Sequence, residues 1–415
     1  MSELMIGEIP VSQLVKQYQT PLYVYDEKQM VENIKAFKQG FQSDHFKTKI
    51  LYASKAFQTV AMLKLIQSQG LGLDVVSGGE IYTAVCADFP MEEVYFHGNN
   101  KTPAEIRYAI ENGLVHFVAD NLMEVELLVA LSQEYQKELQ VMIRLNVGIE
   151  AHTHEYVVTA HIDSKFGLLY ESEECQKAIQ FIQGSEFLQL EGFHAHIGSQ
   201  IFELSAWIAE IHKLVGYLKD FDEVLSLNLG GGFGIRYTES DQPLPLEESV
   251  RELVRFTEEA LKKQGLVINE LLIEPGRSIV GEAGTTLYTV GFIKQTPNKK
   301  YYFVDGGMTD NIRPALYQAS YQCDLATKLR EKKTEKVTIA GKMCESGDVV
   351  IQEALLPIAE PGDILAVYAT GAYGYSMSSN YNRALRPAVV FVNGETARLV
   401  VRRQEYEDLL RGEVQ

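Results

Sequence analysis

The chain is poor in cysteine. Its 415 residues hold four, Cys86, Cys175, Cys323 and Cys344, with no CxxC pair and no short regular spacing. A disulfide framework is therefore not expected, because a chain of this length can bury a core without staples; a reducing cytoplasm is the expected compartment. Long apolar runs are also missing. No stretch reaches the roughly 20 residues needed to cross a bilayer. The opening MSELMIGEIP has no basic segment followed by an apolar one, so no signal peptide is expected. Positive charge is in deficit: 38 Lys and Arg stand against 56 Asp and Glu, a net charge of −18. That balance argues against a nucleic-acid or anionic-membrane partner. It does not call for a cationic ligand, since an acidic surface mostly serves solubility. There is no internal repeat and no low-complexity linker.

What is present is a regular alternation. Eight short apolar runs read as strands: KILYAS (49–54), LDVV (73–76), VYFH (94–97), HFVA (116–119), VMIRLNV (141–147), LEGFHAHI (190–197), LSLNL (225–229) and ELLIEP (270–275). Most are separated by amphipathic stretches with apolar residues at helical spacing, such as TVAMLKLIQSQG (59–70) and LEESVRELVRFTEEALKKQG (246–265). A polar, His-containing loop (148–165) interrupts the fifth connection. Eight β-α repeats predict a (β/α)8 barrel, although periodicity alone also allows a doubly wound sheet. After about residue 280 the pattern changes to strands and turns: 285–295, 300–305, 336–341, 363–369, 388–393 and 397–403. These predict a C-terminal all-β domain, a sandwich or small barrel. The lone strand LYVY (22–25) is expected to pair with it. The expected division is an N-terminal segment 1–27, a barrel 28–280 and a β-domain 281–415.

In such barrels chemistry sits where strands end, and several residue choices there are unusual. Lys55 follows strand one in YASKA. It reads either as an ion-paired surface lysine or as a Schiff-base amine. Gly230, Gly231 and Gly232, in GGGFG after strand seven, read as a tight turn or as backbone N–H groups facing a phosphate; a helix following them would add its dipole. His194 and His196, in FHAHIGSQ, lie two apart and share one strand face. The spacing suggests a metal pair, but no acid or thiol sits at ligand spacing nearby. No metal is expected: His194 reads as a satisfied core residue, His196 as a stacking or hydrogen-bonding one. Ser199 can donate its hydroxyl to phosphate.

Glu274 ends an otherwise apolar run in IEPGR. A carboxylate there is costly unless it meets a cation, either Arg277 or a protonated ring nitrogen. At about 3 Å and an effective dielectric near 20, such a pair gains roughly 5 kcal/mol before desolvation. In the β-domain, CESGD sets Cys344 beside Glu345, either a buried apolar filler or a proton donor. GAYGYS places Tyr373 in a Gly-rich loop. Arg313 and Tyr317 in RPALY stand four apart, suited to a substrate carboxylate.

Taken together, YASKA, LDVVSGGE, EAHTHEY…DSKFG, HAHIGSQ, LNLGGGFG, EPGRSIVGEAG, DGGMTDNIRPALY, CESGD and GAYGYSMSSNYN resemble the fold-type III enzymes that use pyridoxal 5'-phosphate (PLP). That group holds alanine racemase and the ornithine and diaminopimelate decarboxylases, and the likeness is nearest to the last. It spans about residues 20 to 400. The resemblance implies PLP carried on Lys55, stacked on His196, with Asp74 and Glu274 among the cofactor-binding residues. Glu274 would hold the pyridine nitrogen. Ser199, Gly231, Gly232, Gly276, Arg277 and Tyr373 would serve the phosphate and ring contacts. It further implies substrate contacts from Arg277, Arg313, Tyr317, Glu345 and Tyr373, with Cys344 as proton donor after CO2 leaves. A two-fold homodimer sharing its active sites is implied as well. One departure is Val147, where the family commonly has proline.

The expected reaction is decarboxylation of meso-diaminopimelate to L-lysine, the last step of lysine biosynthesis. Decarboxylation of ornithine, arginine or carboxynorspermidine, or racemisation, would suit the same fold. A non-catalytic relative would be expected to lack Lys55 or the thiol, and both are present.

Overall fold

The computed structural model describes residues 3–149 and 163–414. The EAHTHEY motif and most of the loop 148–165 lie outside the described residues. The chain divides into two compact units, one of residues 33–234 and 243–276, the other of residues 1–32, 235–242 and 277–415.

In the first unit, eight strands close into a barrel in sequence order, and every pair is parallel. They are Lys47–Ala53, Gly72–Val75, Val94–Phe96, His116–Ala119, Leu139–Arg144, Leu188–His194, Ser226–Asn228 and Glu270–Ile273, matching the eight apolar runs of the sequence. These strands are apolar on both faces because both are covered. Inside, Leu51, Tyr95, Val118, Met142 and Leu272 form one packed cluster. Outside, five helices begin on a side chain that accepts the N–H three residues on: Thr59 from Met62, Ser77 from Glu80, Thr102 from Glu105, Asn121 from Glu124 and Ser172 from Cys175. Each cap ends the loop leaving a strand, so the strand-end residues are held on short, fixed connections.

The sixth strand carries a bulge. Its register against the fifth shifts between Val141↔Leu190 and Met142↔Gly192. Glu191 reaches Tyr95 at 2.8 Å and His116 at 2.9 Å, and His194 reaches Glu274 at 3.1 Å. Residues three apart on a regular strand face opposite sides; the extra residue brings both onto the barrel's inner side.

The expected helix directly after the glycine run is absent. The chain from 234 to 245 is irregular and the next helix is Leu246–Gln264. Asp241 accepts the N–H groups of Tyr237 and Thr238 in a local turn, and Pro243 and Pro245 cannot supply helical N–H groups. A helix dipole therefore does not back the glycine loop.

The second unit is built on a long strand, Gly284–Gln295. It pairs antiparallel with Leu22–Asp26, Lys300–Val304 and Ile364–Val367. Leu22–Asp26 pairs on its other side, in parallel, with Ala388–Asn393, so the early strand joins the β-domain as expected. Beside the short pair Met5–Ile6 and Ile9–Pro10, two strands escaped the sequence reading, Cys323–Leu325 and Val349–Leu356. The second reads VVIQEALL, whose Gln352 and Glu353 break the alternation that marks a half-buried strand.

Gly192 has φ +156°, and a Cβ there would lie 1.9 Å from the Ser226 carbonyl oxygen. Gly192→Ala should cost about 2 kcal/mol or more by forcing the sixth and seventh strands apart. Gly216→Ala, in the helix Ser205–Tyr217 with nothing within 4 Å, should gain up to about 1 kcal/mol. Thermal unfolding of the two variants checks the contrast.

Candidate active site

The barrel's carboxyl-terminal mouth gathers polar residues that the core would reject. Glu274 follows the eighth strand and is buried. Its Oε1 accepts from Asn228 Nδ2 at 2.7 Å and lies 2.8 Å from His97 Nε2; its Oε2 lies 3.1 Å from His194 Nε2. Burial pushes this carboxyl up, but the imidazoles of His97 and His194 outweigh it and hold the group well below its usual range. Glu274 is thus an ionised acid inside the fold. Burial pulls His194 down to about 4, so it is a neutral donor in this pairing. Its Nδ1 has no hydrogen-bond partner among the described residues, so the expectation of a fully satisfied core histidine holds for one ring nitrogen only.

His196 does different work from His194. The sixth strand stops at His194. His196 lies beyond it, and its Nδ1 faces the Gly231 N–H at 3.2 Å. Burial holds this imidazole well below the usual histidine range. An accepting Nδ1 leaves the proton on Nε2, in a neutral ring. Asp74, at the end of strand two, is buried with Oδ1 3.9 Å from His97 Nε2; burial pushes its carboxyl up against the pull of His97. Lys55 is exposed in a single helical turn, Ser54–Ala56, after strand one. It lies near enough to Asp74, Glu80 and His196 to act on their charge.

The glycines are there for close approach. A Cβ on Gly231 would meet the Glu274 carbonyl oxygen at 2.3 Å, and one on Gly232, at φ +103°, the Gly198 carbonyl oxygen at 2.6 Å. Gly276 lets the turn after strand eight pack on Ala53, 2.9 Å from where a Cβ would sit, beside Lys55. Ser199 stands half-buried in the loop that Ile201 ties to Gly232 by an N–H···O bond of 2.9 Å. Among the buried polar atoms at strand ends with no hydrogen-bond partner among the described residues are Ser54 Oγ, Asp74 Oδ1, Asp120 Oδ1 and His194 Nδ1. Unsatisfied groups gathered at one mouth mark a place built for a polar occupant. An aromatic cofactor with a cationic ring nitrogen and a phosphate fits this donor set: an ionised buried acid, an imidazole and a glycine cradle. The donor atoms of His97, His194 and Glu274 lie within 4.8 Å of one another, a spacing that would also suit a metal ion.

The second unit holds its own cluster. Arg313 is 9% exposed, and its Nε donates to Tyr321 Oη at 2.9 Å. Its guanidinium lies 5.3–5.8 Å from the rings of Tyr237, Tyr317 and Tyr373. Arg277 donates to Tyr237 Oη and sits 4.9 Å from the Tyr373 ring. Tyr373 is held at φ +63°, a strained backbone for a bulky residue. Burial pushes the Tyr321 phenol up to about 12, deeper into the neutral form that a tyrosine already holds at physiological pH. Cys344 and Glu345 are exposed on a loop anchored by Asp348, which accepts the Met308 and Met343 N–H groups at 2.6 and 2.7 Å. The Cys344 N–H donates to Asn382 at 2.8 Å. Tyr317 is mostly exposed.

Sequence reasoning passed over His97, Asn228, Arg144, Tyr237 and Tyr321. The first three carry the signal that flagged Glu274, a polar residue at or near the end of an apolar strand. Arg144 sits 3.9 Å from Asp120 and over the Phe166 ring. The two tyrosines carried no such signal, because tyrosine suits a β-rich core.

Residues 27–281 match the family model of the pyridoxal-dependent decarboxylases, in their pyridoxal binding domain. The diaminopimelate decarboxylase of Bacillus subtilis is 49% identical over 414 residues, 98% of this chain and 94% of that protein. That of Staphylococcus aureus is 46% identical over 411 residues, 98% and 97% of the two chains. The crystal structure of the M. jannaschii diaminopimelate decarboxylase in complex with L-lysine superposes with a TM-score of 0.91 at 34% identity, covering 98% of this chain and 95% of that one. With more than half of its length matched by the family model and nearly all of it by these relatives, the chain belongs to the pyridoxal-dependent decarboxylases, in the diaminopimelate decarboxylase family.

Proposed function

We propose that the chain decarboxylates meso-diaminopimelate to L-lysine and CO2, the last step of lysine biosynthesis, with PLP as cofactor. One observation carries the chemistry: Glu274 is a buried, ionised carboxylate with an imidazole or amide on each oxygen. A lone buried carboxylate costs several kcal/mol, and a cationic ring nitrogen is the partner that repays it. Bound PLP supplies an electron sink at its protonated ring for the pair left when CO2 departs.

The chain's residues then divide the work. Lys55 carries the cofactor. Glu274 keeps the ring nitrogen protonated, backed by His97, His194 and Asn228. His196, neutral and oriented by the Gly231 N–H, stacks on the ring face. Asp74, Ser199, Gly231, Gly232, Gly276, Arg277 and Tyr373 serve the ring and phosphate. Arg313, a buried cation with no carboxylate partner among the described residues, suits the substrate carboxylate that is retained; Tyr317, Glu345, Arg277 and Tyr373 complete the substrate contacts. Cys344 returns the proton to the carbon. No metal is assigned, because the oxygens of Glu274 are those the ring nitrogen needs. The exposed Cys344 loop supports a two-fold homodimer in which it serves the other subunit's site. No helix of the described residues is long and apolar enough to cross a membrane; with the four free cysteines, this supports a cytoplasmic enzyme. Residues 28–280 would be the cofactor-binding domain and 281–415 the β-domain, joined by 1–27.

Borohydride treatment of the holoenzyme should leave the cofactor mass on a peptide containing Lys55, and Lys55→Ala should abolish the cofactor absorbance band. A reduced cofactor found on any other lysine sinks the assignment. Glu274→Gln keeps the side-chain volume but removes the charge. It should lower kcat by about 10²- to 10³-fold while Lys55 stays modified. CO2 release from meso-diaminopimelate tests the substrate: none, with good turnover of ornithine, arginine or carboxynorspermidine, replaces it.

A further inference from the structure

Arg313 is the buried cation of the second unit, and its partner is a phenol rather than an acid. Among the described residues its guanidinium makes one hydrogen bond, Nε to Tyr321 Oη at 2.9 Å, and no ion pair. A guanidinium is a rigid planar fork. Engaging Nε fixes the plane of the fork and leaves the two Nη groups to face a carboxylate side by side. Tyr321 is itself braced. It is 5% exposed and packs edge-to-face on Tyr237, ring centres 5.3 Å apart. Tyr237 in turn accepts from Arg277 and lies beneath both guanidiniums, at 5.6 and 5.8 Å. The two arginines thus share one aromatic spacer, and neither can rotate without disturbing it.

We propose that Tyr321, braced by Tyr237, is a positioning residue: its hydroxyl holds the Arg313 fork in the orientation that selects substrates bearing a carboxylate at the end remote from the bond broken. This rests on the reading of Arg313 given above. The hydroxyl contributes only through Arg313, so its loss weakens ligands with that carboxylate and spares those without it.

The test compares L-lysine with cadaverine, which is the same chain lacking the carboxylate, as competitive inhibitors of the PLP-loaded enzyme. Tyr321→Phe should raise KM for meso-diaminopimelate about tenfold, the weight of one hydrogen bond to a charged group, with kcat within about twofold. The inhibition constant of L-lysine should rise in parallel and that of cadaverine should not move. Both are read on the same active fraction, so partial unfolding does not imitate the split. Should Tyr321→Phe prove unstable, Tyr321→Leu is read in the same way. In an Arg313→Lys background, where no Nε–H remains, Tyr321→Phe should add less than about twofold. Equal weakening of both inhibitors, an unchanged KM, or a full tenfold effect in the Arg313→Lys background overturns the proposal. If the unsubstituted holoenzyme does not turn over meso-diaminopimelate, the functional reading falls instead.

Discussion

A negative charge kept inside a barrel is the constraint on which the rest of the first unit depends. Glu274 comes at the end of an apolar strand, where its carboxylate is stable only if donors meet it. Those donors come from three other strands: His97 follows the third, His194 ends the sixth and Asn228 ends the seventh. Each must be aimed inward at one depth. Closure of the sheet delivers that, since eight parallel strands put eight carboxyl ends on one rim. The bulge at Glu191 and Gly192 corrects the aim of the sixth strand. The glycine at 192 is then dictated by the Ser226 carbonyl crowded against it. A local backbone defect, a close strand contact and the ionisation of an acid on a different strand are one linked arrangement.

Two kinds of charge management coexist in the chain. At the barrel mouth a buried acid is held in its ionised form by two imidazoles and an amide from other strands. In the second unit a guanidinium is held by phenols, which orient it without neutralising it. Pairing that guanidinium with a carboxylate from the protein would remove its affinity for an acidic ligand. Arg313 has no carboxylate partner among the described residues, and its one guanidinium hydrogen bond goes to Tyr321.

Much of this was legible in the sequence because periodicity and strand-end composition are local properties. The eight strands, the change to all-β structure near residue 280 and the pairing of Leu22–Asp26 with that sheet all follow from alternation and length. Glu274 and Lys55 stood out as charged residues terminating apolar runs. His97 and Asn228 bear the same mark and were passed over, because a single histidine or asparagine ending a strand is ordinary until its neighbour across the barrel is known. The helix expected behind GGGFG was wrong for a related reason: prolines and an Asp-centred turn lie just beyond the glycines, and they outrank the general habit of such loops.

The sequence by itself determined the fold class, the family and the identity of the groups that can do chemistry, since these depend on residue type and spacing along the chain. Tertiary structure alone decided which protons those groups carry. That Glu274 keeps its charge although buried, and that His194 and His196 are neutral, depends on burial and on partners more than 30 residues away. Tyr237 acquires its place beneath two arginines in the same way, from segments far apart in the chain. Solvation and distance exist only once the chain has closed, so protonation and orientation could not be read before it did.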